Sequence, residues 1–109
     1  MDLTEMKQEA LKIRDMYNTL HVRRSEPTWS THDYALGFTV DVGDLARLVQ
    51  EYQGLRGGRD DLQKRIEHEL SDCLWSILVL ADELSIDLTK AFDNTMSELT
   101  EDLQGRLSE

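Results

Sequence analysis

The segment that most constrains the fold runs from residue 62 to residue 84, where a helix-forming stretch is apolar around most of its circumference. Leu74, Trp75 and Ile77, followed by the run LVL at 78–80, point in nearly every direction around a helical axis. A helix that is apolar all round is normally enclosed by protein. Because the chain has only 109 residues, we expect a second copy to supply part of that enclosure.

Helical periodicity and capping signals predict further helices in the rest of the chain. One proline and six glycines leave room for long helices and disfavour a turn-rich β fold. We therefore predict one all-α domain over residues 1–109, an antiparallel four-helix bundle completed by dimerisation. The glycine-rich stretch GLRGGR, residues 54–59, is predicted to be a loop. The predicted helices are Thr4 to His21, a second from the Ser30–Asp33 capping box to Gln53, Asp60 or Asp61 to Leu84, and a fourth from the Asp87 cap to Leu103.

Charge and cysteine content narrow the classes of function. The 22 acids and 12 bases give a net charge of −10, which excludes a general attraction for nucleic acid polymers or anionic membranes. A polyanionic ligand would therefore need a cation to bridge it to the protein. The single cysteine, Cys73, fits a reducing compartment, and the longest apolar run, CLWSILVLA, is shorter than the ~20 residues of a membrane span. Since the charged start also lacks a signal-peptide pattern, we expect a soluble cytoplasmic protein.

Two helices carry the same pair of acids on their apolar faces. On the third helix Glu69 falls within the apolar stripe and Asp72 lies about 60° to one side. Asp41 and Asp44 repeat this arrangement on the second helix. Several carboxylates in an apolar setting are disfavoured by desolvation and by mutual repulsion, and a divalent cation would offset both. Oxygen ligands without a His or Cys cluster favour Mg²⁺, with Mn²⁺ as the second possibility.

Simpler interpretations stay open beside the metal site. The inward acids could instead pair with Arg14, Arg47 or Lys64. His68 lies about 100° from Glu69 around the helix, which indicates a surface or rim residue. Cys73 suits a core position.

The acid pairs and their surroundings resemble a known family. DVGDLARLV, followed by HELSDCLWSILVLADELSIDLTKAF, is similar to the MazG-like nucleotide pyrophosphohydrolases over about residues 29 to 96. That family carries Glu-x-x-Glu on one helix and Glu-x-x-Asp on the next. The resemblance implies a helical homodimer or dimer of dimers. It also implies Mg²⁺-dependent hydrolysis of a nucleoside triphosphate to the monophosphate and pyrophosphate, in house-cleaning or control of the nucleotide pool. Its metal-binding and catalytic residues would be Asp41, Asp44, Glu69 and Asp72.

The chain also departs from the family pattern. Asp replaces Glu at both positions of the first motif, which shortens each side chain by one methylene, and Val40 stands where many relatives have a further acid. These changes motivate an alternative, a catalytically weakened nucleotide- and metal-binding regulatory module or a dimerisation module. On the last helix, Lys90, Asn94 and Arg106 are the counterparts available for phosphate contacts. The candidate substrate residues are Trp29, Phe38, Trp75 and Asn94, and for each Trp the simpler interpretation is packing.

Overall fold

The computed structural model describes residues 1–54 and 61–109, and it is helical without strands across both ranges. The all-α prediction is therefore confirmed. The fourth helix ends at Leu107, one turn beyond the predicted end at Leu103. Residues 55–60, which hold most of the predicted glycine-rich loop and Asp60, lie outside the described ranges. The helices are α1 (Leu3–Arg23), α2 (Thr31–Gln53), α3 (Leu62–Glu83) and α4 (Leu88–Leu107).

Side-chain caps fix the starts of three helices. The Ser30 side chain accepts from the Asp33 backbone N–H at 3.2 Å, and the Ser30 N–H donates to Asp33 Oδ2 at 2.8 Å, which completes the capping box. These bonds lower the pKa of Asp33, since they favour its ionised form. Asp2 caps α1 and Asp87 caps α4 by a single bond, in which the Asp side chain accepts from the backbone N–H three residues later. The capping predictions at Ser30 and Asp87 are thus confirmed.

The most extensive packing between helices is that of α2 against α3. Tyr34, near the start of α2, lies with its ring 6.0 Å from the ring of Trp75 in the second half of α3. Asp41, two turns further along α2, lies beside Glu69, nearly two turns earlier in α3. The two helices therefore run antiparallel. Val79 of α3 is fully buried, and the core cluster consists of Ala10, Tyr34, Leu78 and Val79.

Helix α1 is attached to α3 by polar contacts as well as by the core. The Trp75 indole N–H donates to the Ala10 carbonyl at 3.1 Å, a partner that a half-buried indole requires. Arg14 Nη1 donates to Asp82 Oδ2 at 2.7 Å and lies 3.4 Å from Glu83 Oε1. These contacts fix one side of α1 next to the second half of α3.

Helix α4 differs from the others because none of its residues is buried. The radius of gyration is 17.7 Å and the longest dimension is 60 Å, whereas a compact domain of this length has a radius of about 13 Å. The described chain is thus a three-helix core with a fourth helix that extends from it. None of its helices has the length and hydropathy of a membrane-spanning segment.

The capping box gives a direct test of this architecture. We expect Ser30→Ala to lower the free energy of unfolding by about 1 kcal/mol, because α2 loses the acceptor for one of its free N–H groups. Urea unfolding followed by circular dichroism measures the change. Ser97→Ala, in the exposed middle of α4, is the control and should leave stability unchanged or slightly higher. Equal stability of Ser30→Ala and wild type would contradict a stabilising cap.

Candidate functional site

The antiparallel packing of α2 on α3 brings together acids that are far apart in the sequence. Asp41, Asp44 and Glu69 each offer a carboxylate oxygen, and these oxygens lie within 4.8 Å of one another. Opposite ligands of an octahedral Mg²⁺ are about 4.2 Å apart, twice the usual metal–oxygen distance. Small side-chain rotations would therefore suffice for the three residues to share one ion.

The acids occupy a half-buried groove rather than the core itself. Partial desolvation raises the pKa of Asp41 and of Glu69, and the neighbouring carboxylates raise both further. A carboxyl group whose pKa is higher in the folded state favours folding when protonated. Its contribution to stability is therefore present at low pH and is lost as pH rises through the folded-state pKa. At neutral pH, with no cation bound, these charges oppose folding.

Glu69 supplies the observation that distinguishes this cluster from ordinary surface acids. Its Oε2 is buried and has no hydrogen-bond partner among residues 1–54 and 61–109. A buried carboxylate oxygen without a partner is costly, and a cation is the kind of ligand that would compensate it. The all-oxygen donor set of Asp41, Asp44 and Glu69 fits Mg²⁺ or Mn²⁺.

A second group of ligand atoms shares Glu69 with the first. His68, Glu69 and Asp72 also offer ligand atoms that lie within 4.8 Å of one another, and His68 Nε2 is 3.1 Å from Asp72 Oδ2. The exposed position of His68 agrees with the sequence analysis. Its contact with Asp72 was not foreseen, although the spacing of four residues on one helix is a signal for it. The four predicted acids thus form one continuous cluster around Glu69.

The interpretation as ordinary ion pairs holds for only part of the cluster. Arg47 Nη2 lies 3.2 Å from Asp44 Oδ1 in an exposed pair along α2. Arg14 is committed elsewhere, to Asp82. Within the described part of the chain, no Lys or Arg forms an ion pair with Asp41 or Glu69. Among the described residues, neither Asp41 nor Glu69, the two acids of the cluster with raised pKa values, therefore has a lysine or arginine partner.

An aromatic cavity of about 690 Å³ adjoins the acids. This volume lies in the range of small-molecule pockets. Asp41 and Asp72 belong to both the cavity wall and the acidic cluster, so a ligand in the cavity would reach the carboxylates directly. The described residues that line the cavity are Ile13, Tyr17, His21, Trp29, Tyr34, Gly37, Val40, Asp41, Ser71, Asp72, Trp75 and Ser76.

The candidate substrate residues divide into two groups. Trp29 and Trp75 line the cavity, and the Trp29 ring also lies 5.5 Å from Tyr34. Phe38 and Asn94 are not among the described residues of the cavity wall, and Asn94 is exposed on α4. Packing and cavity lining are thus combined in Trp75, whose indole N–H is bound to α1.

Sequence reasoning missed the contribution of α1 to the cavity. Ile13, Tyr17 and His21 follow one another at intervals of four residues and form one wall. His21 Nδ1 is buried and has no hydrogen-bond partner within the described ranges. The helical spacing of these three residues was the available signal, but it does not say whether such a face meets core or cavity.

Gly37 gives Trp29 its position against α2. A Cβ at this position would lie 2.9 Å from Trp29 Cζ3, closer than van der Waals contact allows. Gly43, on the same helix between Asp41 and Asp44, has no heavy atom within 4 Å of such a Cβ. The two glycines therefore form a matched pair for testing the cavity.

We expect Mg²⁺ or Mn²⁺ to raise the melting temperature of the wild-type protein and to have no such effect on Glu69→Gln. The metal-free variant should melt at or above the temperature of the metal-free wild type, because a charge that opposes folding has been removed. Differential scanning fluorimetry across a metal titration measures both effects. Glu67→Gln, an exposed site on the same helix, is the matched control and should respond to metal like wild type. An equal metal response in all three proteins would exclude binding at Glu69.

The glycine pair tests the packing of Trp29. We expect Gly43→Ala to raise the free energy of unfolding by roughly 0.5–1 kcal/mol, the usual gain within a helix. Gly37→Ala should raise the free energy of unfolding by less than Gly43→Ala does. It should also shift tryptophan fluorescence, because the Trp29 ring must move away from α2. Fluorescence spectra and denaturant unfolding measure the two effects. An unchanged spectrum in Gly37→Ala would show that Trp29 does not pack against Gly37.

Comparisons with the models of protein families, with curated proteins and with solved structures found no match to this chain. Carboxylates of Asp41, Asp44 and Glu69 converge from two helices, beside an aromatic cavity large enough for a small molecule. One oxygen of Glu69 is also buried without a hydrogen-bond partner among the described residues.

Proposed function

We propose that this protein is a Mg²⁺-dependent nucleoside triphosphate pyrophosphohydrolase of the MazG-like type, which converts a (d)NTP and water to a (d)NMP and pyrophosphate. We also propose that it acts in the cytoplasm as a homodimer or dimer of dimers. The observation that carries the proposal is the convergence of Asp41, Asp44 and Glu69 next to the aromatic cavity.

Charge complementarity supports this class of substrate. An acidic groove repels a triphosphate, and it can hold one only through divalent cations. Asp41, Asp44, Glu69 and Asp72 would hold such ions against the phosphate oxygens. When bound, Mg²⁺ neutralises charge that develops on the transferred phosphoryl group and lowers the pKa of bound water. An acid with a raised pKa, such as Glu69, is suited to accept a proton from the attacking water.

The cavity favours a substrate in which the phosphates are joined to a nucleoside over a simple polyphosphate. Trp29 and Trp75 present aromatic surface to the cavity, and a planar base stacks favourably on such side chains. The cavity meets the acids at Asp41 and Asp72, so a base in the cavity would place its phosphates at the carboxylates. His21 Nδ1, buried and unpartnered within the described residues, is available for a polar group of the base or sugar.

The shortened acids of the first motif are compatible with metal binding. Each Asp lacks one methylene relative to Glu, yet the oxygens of Asp41 and Asp44 still lie within 4.8 Å of an oxygen of Glu69. The close packing of α2 on α3 compensates for the shorter reach. The substitutions therefore do not by themselves argue against catalysis.

A second candidate function is a regulatory module that binds nucleotide and metal without turnover. The contact of Arg47 with Asp44 favours it, because a cation that already neutralises one acid weakens the attraction for a metal ion. Metal-dependent nucleotide binding without product would identify this function.

The decisive assay is pyrophosphate release from a panel of canonical and damaged (d)NTPs with Mg²⁺ or Mn²⁺. We expect release by the wild type, and a loss of at least about 100-fold in kcat/KM for Glu69→Gln. A metal ion contributes several kcal/mol to transition-state stabilisation, and each 1.36 kcal/mol is worth tenfold in rate. The matched control Glu67→Gln should retain wild-type activity.

Two results would contradict the proposed reaction. Release of inorganic phosphate instead of pyrophosphate would show that a different bond is cleaved. Absence of any product from wild type, with nucleotide still bound by calorimetry, would favour the regulatory module.

A further inference from the structure

Along α2, the parts of the site follow one another in a fixed order. Gly37 and Val40 line the aromatic cavity, and Asp41 and Asp44 of the acidic cluster come next. Arg47 follows three residues after Asp44. Since Arg47 is seven residues from Val40, close to two full turns, it lies on the side of α2 that lines the cavity, about 10 Å further along the axis. Cavity, acids and a cation therefore form one row.

Helix α3 repeats this order in the opposite direction along its sequence. Trp75 lines the cavity, Asp72 and Glu69 belong to the cluster, and Arg65 lies one turn before Glu69. Arg65 is seven residues from Asp72 and thus lies on the same side of α3 as this cavity residue. Because α2 and α3 are antiparallel, Arg47 and Arg65 are at about the same level. The two arginines flank the end of the acidic cluster that is opposite to the cavity.

Arg47 already contacts the cluster through an ion pair that is easily exchanged. Its Nη2 lies 3.2 Å from Asp44 Oδ1, and the two side chains are 77% and 42% exposed. An ion pair with this exposure contributes little to stability, because water screens it. A divalent ion bound to Asp44 would compete with Arg47 for the carboxylate. The guanidinium group would then be free to bind an anion that the metal ion carries.

Arg65 has no such partner to leave. It is exposed, and it forms no ion pair with any residue in the ranges 1–54 and 61–109. A guanidinium group presents its N–H donors in a planar fork that matches two oxygens of a phosphate. Lys64, next to Arg65, adds positive charge at the same end of α3.

The cations of α4 are less well placed for phosphate contacts. Among the described residues that line the cavity, Lys90, Asn94 and Arg106 are absent. Arg106 is paired with Asp102 on its own helix, at 3.1 Å. The side chains that extend the row of cavity and acids are therefore those of α2 and α3.

We propose that Arg47 and Arg65 bind the outer phosphates of the nucleotide, the part that leaves as pyrophosphate. This assignment rests on the proposed pyrophosphohydrolase function. The order of cavity, acids and arginines matches the order of base, inner phosphate and outer phosphates in a nucleoside triphosphate. Positive charge at the far end complements the polyanionic leaving group.

The position of the two arginines suits the bond that breaks in this reaction. The oxygen of a water molecule forms a bond to the α-phosphorus, and the water gives a proton to a carboxylate of the cluster. The bond from the α-phosphorus to the oxygen that bridges it to the β-phosphorus breaks, and its electron pair stays on that oxygen as pyrophosphate leaves. Guanidinium groups at the outer phosphates stabilise the negative charge that the leaving group gains.

Binding of inorganic pyrophosphate in the presence of Mg²⁺ tests the two arginines without knowledge of the base. Isothermal titration calorimetry compares wild type with Arg47→Gln and Arg65→Gln. We expect each variant to bind pyrophosphate at least about tenfold more weakly, since each loses a charge-assisted contact. Arg23→Gln, exposed at the end of α1, is the matched control and should bind like wild type. Absence of binding by wild type, or equal affinities in all four proteins, would overturn the proposal.

A titration with Mg²⁺ alone distinguishes a lost phosphate contact from a general loss of structure. We expect Arg47→Gln to bind the metal at least as tightly as wild type, because Asp44 loses a competing cation. Arg47→Lys keeps the charge without the planar fork and should recover part of the pyrophosphate affinity. Metal and pyrophosphate affinities that fall together in Arg47→Gln would overturn the role of Arg47.

Turnover of (d)NTPs separates this proposal from the proposed function. Pyrophosphate binding that depends on both arginines, without hydrolysis of any (d)NTP, would support the phosphate site and contradict the reaction. Hydrolysis of a (d)NTP by wild type, with unchanged pyrophosphate affinity in the two arginine variants, would support the reaction and overturn the phosphate site.

Discussion

The packing of α2 against α3 is the interaction on which the site depends. Tyr34 and Val79 are almost completely buried in this contact, and their burial sets the antiparallel register of the two helices. That register places Asp41 and Asp44 opposite Glu69. The repulsion among these acids opposes the same packing, so the apolar contact must exceed it when no cation is present. A bound divalent ion would replace the repulsion among the acids by attraction to the metal. Metal binding would then stabilise the folded protein.

The acidic cluster and the aromatic cavity share residues and therefore form one site rather than two. Asp41 and Asp72 belong to both, and Ser71 and Trp75 of α3 also line the cavity. Helix α1 closes the far side, held there by the bond between Trp75 and the Ala10 carbonyl. Because one indole both anchors α1 and lines the cavity, the shape of the site depends on the integrity of the whole three-helix core.

Sequence periodicity predicted the helices and the shared face of the four acids, since a period of 3.6 residues fixes which side chains point the same way. It did not predict what each face meets. The wall that His21 contributes to the cavity and the exposure of the apolar residues of α4 depend on how the helices are arranged. That arrangement follows from tertiary packing, which local patterns do not encode. The capping box at Ser30 was predictable because it is local in sequence.

In the proposed metal site, Asp41, Asp44 and Glu69 hold a divalent cation between α2 and α3. The most direct test is a crystal structure of the protein with Mn²⁺, in which anomalous scattering locates the metal independently of the chain. We expect an anomalous peak within about 2.0–2.3 Å of an oxygen from each of the three residues. A well-ordered cluster without a peak, or Mn²⁺ bound only at other surface acids, would contradict it.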